Sequence, residues 1–201
     1  MKETISGTNV HSPLDLKNLN KLERRKYKYK SNDAEYDGEW LGGMRHGQGL
    51  MLWNDGATFT GTWSCNHVTN AGKFVYASGD VYEGGMASNL MQGQGIYYHM
   101  NGIVYKGQWA RGKMHGRGLE TWPTGARYLG SYVDGLKQGS GAYSWTDGAK
   151  YYGEWVNNEI NGSGCIEWPD GRHYIGQWSK GKMHGCGRYV LSESKRYEGE
   201  Y

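Results

Sequence analysis

The chain has only three cysteines, Cys65, Cys165 and Cys186, and they lie far apart. Their odd number and wide spacing exclude a paired disulfide framework and a metal-ligand motif, and with no secretory leader they read as free thiols in a reducing compartment. No apolar run approaches the ~18–20 residues that a spanning helix requires, so any membrane contact is expected to be peripheral or through a partner. The mean hydropathy of −0.82 is too low for an ordinary globular core. Aromatic residues are plentiful but not interleaved with basic ones, which argues against nucleic acid.

Glycine and aromatic residues are abundant instead, with 34 glycines and 14% Phe, Trp and Tyr. They fall in register every 23 residues from Tyr36 onward, with no insertion. Aromatics open the copies at Tyr36, Phe59, Tyr82, Tyr105, Tyr128, Tyr151, Tyr174 and Tyr197, and glycine follows two residues later, from Gly38 to Gly199. Four residues after each opening aromatic stand Trp40, Trp63, Met86, Trp109, Tyr132, Trp155, Trp178 and Tyr201. A Gly-x-Gly follows, as in Gly47/Gly49, broken only in the second copy by Asn70. A second tryptophan column comprises Trp53, Trp122, Trp145 and Trp168. Fixed spacing of this kind marks a repeat array.

Within one copy, Tyr36, Gly38 and Trp40 alternate with Asp37 and Glu39, the period of a strand. Leu41 to His46 reads as a hairpin loop, Gly47 to Trp53 as the return strand and Asn54-Asp55-Gly56 as a turn. The fold expected is all-β: an elongated, single-layer antiparallel sheet of tandem β-hairpins, each contacting only its neighbours, roughly 10 Å of rod per repeat. Rings are expected to lie across bare glycines of the adjacent strand. The opposite face, with Asp37, Glu39, Lys106 and Glu154, is expected to be solvated.

Residues 36–201 therefore form an array of seven full repeats and the first strand of an eighth, and residues 1–35 an N-terminal extension. The extension begins with a stretch expected to be disordered. A short helix follows at about 13–25, started by Ser12-Pro13 and carrying Leu16, Leu19 and Leu22 on one face. Residues 21–30 carry a charge of +5 and residues 31–201 a charge of −2. Arg24, Arg25, Lys26, Lys28 and Lys30 are the candidates for an acidic partner or anionic lipid; the plainer reading is a solvated connector. Residues 26–30 also have the alternation of a degenerate half-repeat that caps the first hairpin.

No catalytic constellation emerges. His46, His115 and His184 occupy one column 69 residues apart, too distant along the rod to share a metal. Gly-x-Gly opens a strand and lacks a third glycine, so a nucleotide loop is excluded. No enzyme activity, cofactor, metal or small-molecule substrate is expected.

The pattern Tyr-x-Gly-x-Trp, His-Gly-x-Gly, Asp-Gly resembles the MORN repeat (membrane occupation and recognition nexus). The resemblance covers residues 36–201 and departs from the pattern at Thr69-Asn70, Met86 and Ser194. It implies a non-enzymatic cytoplasmic scaffold of protein assemblies, akin to small stand-alone members of cilia and cytoskeleton, including the radial-spoke-head type of the axoneme. The alternatives it implies are a peripheral phosphoinositide-binding module or the regulatory array of a lipid-kinase-like enzyme. Expected partners are other proteins, a second MORN protein or another copy end to end. The candidate partner face is Trp40, Trp63, Met86, Trp109, Tyr132, Trp155 and Trp178. Tyr197, Gly199 and Tyr201 are the candidate edge for assembly, because the strand they form has no return strand.

Overall fold

A computed structural model describes residues 21–192 and 194–201. The described residues form one open antiparallel sheet of sixteen strands in simple sequence order. Strand β1 (Glu23–Lys28) precedes the array. The repeats follow as β2 (Glu35–Leu41) with β3 (Met44–Leu52), β4 (Thr58–Ser64) with β5 (His67–Val75), β6 (Val81–Ala87) with β7 (Leu90–Tyr98), and β8 (Val104–Ala110) with β9 (Lys113–Thr121). They continue as β10 (Arg127–Val133) with β11 (Leu136–Ser144), β12 (Lys150–Val156) with β13 (Glu159–Glu167), and β14 (His173–Ser179) with β15 (Lys182–Ser192), and β16 (Lys195–Glu200) closes the order.

The connection inside each hairpin is shorter than the Leu41–His46 loop expected from the sequence. It is a two-residue turn with both residues left-handed: Gly42–Gly43 in the first repeat, Cys65–Asn66 in the second, Asn157–Asn158 in the sixth. Such turns match the twist of the flanking strands, so a tight turn wins over a longer loop. Their second residue also joins repeats. Asn66 N–H donates to the Arg45 carbonyl at 3.0 Å, and Asn66 Oδ1 accepts from Arg45 N–H at 2.9 Å. Asn158 makes the same two bonds to Lys137. Between repeats the turn is built by aspartate and glycine: Gly56 N–H bonds the Trp53 carbonyl, and Asp55 Oδ1 accepts from Ala57 N–H. Asp147 and Asp170 repeat that short-range bond.

The Gly-x-Gly glycines have different tasks. The first has positive φ in every copy, 62° at Gly47, and sits where the hairpin register slips between Gly38 and Trp40. Asn70, the second copy's departure, takes the same conformation at 61°, which asparagine tolerates better than most residues. The second glycine pairs with the glycine of the opening strand, Gly38 with Gly49. The opening ring lies over both: a Cβ on Gly38 would stand 2.5 Å from the Tyr36 hydroxyl oxygen and equally close to Gly49 Cα. The ring thus covers a glycine of its own strand as well as one of its neighbour.

The bulge frees a carbonyl, and the phenol satisfies it. Tyr82 Oη donates to the Gly85 carbonyl at 2.7 Å, and Tyr36, Tyr105, Tyr128, Tyr151 and Tyr174 do likewise three residues on. The freed N–H is taken by a side chain of the outer face. Glu39 Oε2 accepts from Gln48 N–H at 2.6 Å, and Glu154 and Gln108 serve their own bulges.

The helix expected at 13–25 lies largely outside the described residues, but Glu23, Arg24 and Arg25 belong to β1 and pair with β2. Cross-strand pairing outweighs the weak three-leucine periodicity. Strand β1 pairs with β2 where the sequence placed a capping half-repeat at residues 26–30, but it starts earlier, at Glu23, and ends at Lys28.

Replacing Gly130 with valine is expected to destabilise the array by about 3 kcal/mol, because a Cβ there meets Gly141 Cα at 2.7 Å and the Tyr128 ring. Chemical denaturation checks it, and an unchanged midpoint would refute ring-over-glycine packing.

Candidate functional site

The ring face is an edge-to-face chain of aromatic side chains, interrupted where Met86 stands in the tryptophan column. Tyr105 meets Trp109 at 5.2 Å within its own repeat and Tyr132 of the next at 5.2 Å. The same alternation runs from Tyr128 through Trp155, Tyr151, Trp178 and Tyr174 to Tyr201. Rings meeting edge to face at this distance add to their burial. Trp63, Trp109 and Trp178 also donate their indole N–H to the carbonyl of the preceding repeat's second glycine.

This places the residues expected to meet a partner. Trp40, Trp63, Met86, Trp109, Tyr132, Trp155 and Trp178 are all buried, with relative exposures between 1% and 8%. They form the floor of the face. Above them lies a second, half-buried row that the sequence reading did not single out as a contact surface: Trp53, Phe74, Tyr76, Tyr97, Trp122, Tyr143, Trp145, Trp168 and Tyr189 pack against the core with one side open. Trp53 stacks on Phe74 at 5.3 Å, and Trp122, Tyr143 and Trp145 form a run at 5.6 and 4.7 Å. The signal was present as the second tryptophan column.

The opposite face is not uniformly polar. Leu129, Tyr152 and Ile175 occupy one column there at 59%, 46% and 52% exposure, joined across the strands by Ala142 and Cys165. Asp37, Thr60 and Glu83 fill that column in the first repeats, so the solvated reading holds there and fails in repeats five to seven.

Two cations enter the otherwise apolar column Arg45, Val68, Met91, Met114, Lys137, Ile160 and Met183. Lys137 Nζ pairs with Glu120 at 2.7 Å, both side chains only 14% exposed, and Tyr132 Oη donates to the same carboxylate oxygen at 3.0 Å. Arg45 lies 4.5 Å over the Trp63 ring and donates to the Asn66 carbonyl at 3.2 Å, while its Nε is buried without a hydrogen-bond partner among the described residues. It borders a groove of about 950 Å³ over the first three repeats.

The basic strand is largely occupied. Arg24 pairs with Asp37 at 3.3 Å, Lys26 with Glu35 at 2.6 Å and Lys28 with Asp33 at 3.5 Å, a diagonal ladder on the outer face. Arg25 lies over Trp40 at 4.4 Å, and Lys30 is exposed beyond the strand. The Lys26–Glu35 contact raises the lysine's pKa and lowers the carboxylate's, mainly through their hydrogen bond.

At the far end, Tyr197 and Tyr201 are 50% and 37% exposed, whereas the other opening aromatics are 0% or 1% exposed. Tyr201 exchanges both backbone bonds with Gly185, so the N–H and C=O groups of Glu200 and Glu198 point away from β15. Gly199 sits beneath the Tyr197 ring.

His46, His115 and His184 stand on β3, β9 and β15 rather than in loops, because the turns are short. Among the described residues no group of three or more His, Cys, Asp or Glu side chains is placed to hold a metal, and no helix is long and apolar enough to cross a membrane.

One open sheet of identical hairpins, floored by rings over glycines, defines a linear β-repeat rod. The family model of the MORN repeat matches residues 36–58, 82–104, 105–127, 128–150, 151–171 and 174–193, more than half of the chain. The chain belongs to the MORN-repeat family. The second copy, outside those matches, keeps the same hairpin, with Gly61 opposite Gly72. Alsin of Rattus norvegicus is 53% identical over 30 residues, which span 15% of this chain and 2% of that protein's length. The TCP10 domain of Danio rerio CPAP is similar in fold, with a TM-score of 0.52 at 13% identity over 88% of this chain and 83% of that one. The SAS-4 (dCPAP) TCP domain of Drosophila melanogaster, solved with a proline-rich motif of Ana2 (dSTIL), gives 0.49 at 10% identity over 97% and 99%.

Burial pushes the phenols of Tyr36, Tyr82, Tyr128 and Tyr151 up to about 12. Between the ordinary tyrosine value near 10 and that value the folded chain holds protons that the unfolded chain releases. Stability is therefore expected to be level with respect to these groups below pH 10 and to fall steeply as pH rises toward 12, read as melting temperature against pH. Lys137→Met is expected to cost about 3 kcal/mol by leaving the Glu120 carboxylate unpaired. Combining it with Glu120→Tyr, the residue at that position in repeats three and five, is expected to recover most of the loss in denaturant melts.

Proposed function

We propose that the chain is a non-enzymatic scaffold whose β-rod assembles other proteins within a cytoskeletal structure, the ciliary axoneme being the setting that its family resemblance favours. The half-buried aromatic row carries this reading. Among the described residues no second layer covers Trp122, Tyr143, Trp145 and Trp168, and large flat rings left with one side open are the side chains that anchor protein interfaces. The exposed Leu129, Tyr152 and Ile175 on the other face support it as well, since adjacent apolar groups on a surface mark contact sites.

The exposed edge of β16 belongs to the same reading. A strand laid beside it, from a partner, a second copy or further chain, covers Tyr197 and Tyr201 and takes up the outward backbone groups of Glu198 and the N–H of Glu200, whose carbonyl already accepts from the Tyr197 hydroxyl. The lipid-binding alternative draws less support, because Arg24, Lys26 and Lys28 already face carboxylates of this chain.

Proximity labelling with the full chain tests the proposal. Cytoskeletal proteins are expected among the labelled set, and the triple change Trp122→Ala, Tyr143→Ala and Trp145→Ala is expected to lose them while Lys106→Ala does not. Melting curves confirm that each variant stays folded. Labelling that survives the triple change overturns the aromatic row as the contact. Flotation with anionic vesicles that disappears on charge reversal at Arg24, Lys26 and Lys28 would establish the lipid reading instead.

A further inference from the structure

The groove over the first three repeats arises where the aromatic chain is interrupted. Met86 stands in the tryptophan column, so no ring bridges Phe59 to Tyr82, and Met51 and Met91 line the widened space together with Trp53, Phe74 and Tyr76. Methionine-rich walls adapt to varied apolar side chains. Into this apolar lining projects one charge, Arg45, and among the described residues no acidic side chain lines the groove.

The array supplies its own control. At the same column in the fifth repeat, Lys137 enters an equally apolar environment and is neutralised from within by Glu120. The residue that stands to Arg45 as Glu120 stands to Lys137 is Tyr27, which lies opposite Tyr36 as Glu120 lies opposite Tyr128 and brings no carboxylate. Among the described residues Arg45 has no carboxylate partner, and its buried Nε has no acceptor. A half-buried guanidinium is stabilised when a carboxylate meets its donors side by side.

We infer that this groove is the seat of an apolar segment of a partner protein bearing one carboxylate, which pairs with Arg45. The inference rests on the scaffold reading above and names the chemistry of one partner. A single cation matches a single carboxylate; a phosphate would bring a second negative charge with nothing in the groove to meet it. The lining of Met51, Phe74, Met86 and Met91 selects leucine, phenylalanine or methionine beside that acid.

Selection of a phage-displayed random-peptide library on the immobilised full chain tests it, followed by affinities of the selected peptides. Binders are expected to combine apolar residues with one Asp or Glu. Changing that acid to its amide should weaken binding to the wild type about tenfold or more, yet change little against Arg45→Met. That variant carries the residue that Met91, Met114 and Met183 supply at the same position, so the fold is expected to hold, as melting checks. Met86→Trp should fill the groove and abolish binding. Binders without an acid, or an acid whose loss costs the same on Arg45→Met, overturn the inference, while binding lost on Trp53→Ala or Tyr76→Ala would still uphold the ring face as a docking surface. If no recovered peptide depends on any ring-face residue, both readings fail. Peptide affinity that rises on Asp15→Asn would identify residues 1–20 of the chain itself as the occupant, and self-association abolished by Arg45→Met would identify a second copy; either result overturns the partner assignment.

Discussion

A ring lying over two paired glycines is the contact on which this molecule depends. It closes the floor of a sheet that has no second layer among the described residues, and its hydroxyl satisfies the carbonyl that the adjacent bulge sets free. The three features require one another. Without the glycines the ring cannot lie flat, without the bulge there is no carbonyl to receive the phenol, and without the ring the sheet has no core. Tyr36, Tyr82, Tyr105, Tyr128, Tyr151 and Tyr174 each meet the edge of a tryptophan or tyrosine in the next repeat, so cohesion passes along the rod by neighbour contacts. The hairpins can be stacked with no change in local chemistry, which is why copies of one length succeed one another without insertion.

A regular array is informative where it departs from regularity. Asn70 departs in identity but keeps the backbone conformation that the bulge demands. Met86 departs in size, and the consequence is a groove. Lys137 and Arg45 depart in charge, and among the described residues only Lys137 meets a carboxylate. The aromatic floor holds the rod together, and the departures give each stretch of it a distinct surface. Partner choice by a repeat protein rests on such differences, because the repeated features are common to every copy.

The fold was legible to an unusual extent because strand alternation, turn residues and glycine spacing all recur in register. The candidate contact surface was legible only in part. Sequence alternation assigns Trp40, Trp109 and Trp178 to the ring face correctly, but it does not distinguish a floor from a rim. That distinction depends on how far each side chain is covered by the next hairpin. The apolar column of Leu129, Tyr152 and Ile175 was likewise visible as letters, yet its continuity comes from Ala142 and Cys165 brought beside it by strand register. The helix expected at 13–25 yields at Glu23–Lys28, because a strand partner became available there only in the folded chain.

By itself the sequence determined the repeat, its length, the face of each side chain and the positions that cannot bear a Cβ. These follow from a period of two and from local backbone preference, which depend on near neighbours alone. The tertiary structure decided which glycine is a bulge and which lies beneath a ring, which aromatics stay half open, and which buried cation has a carboxylate. Those outcomes depend on residues 17 to 23 positions apart meeting across strands, as Lys137 meets Glu120. Burial and charge compensation are properties of that meeting and of no single stretch of chain.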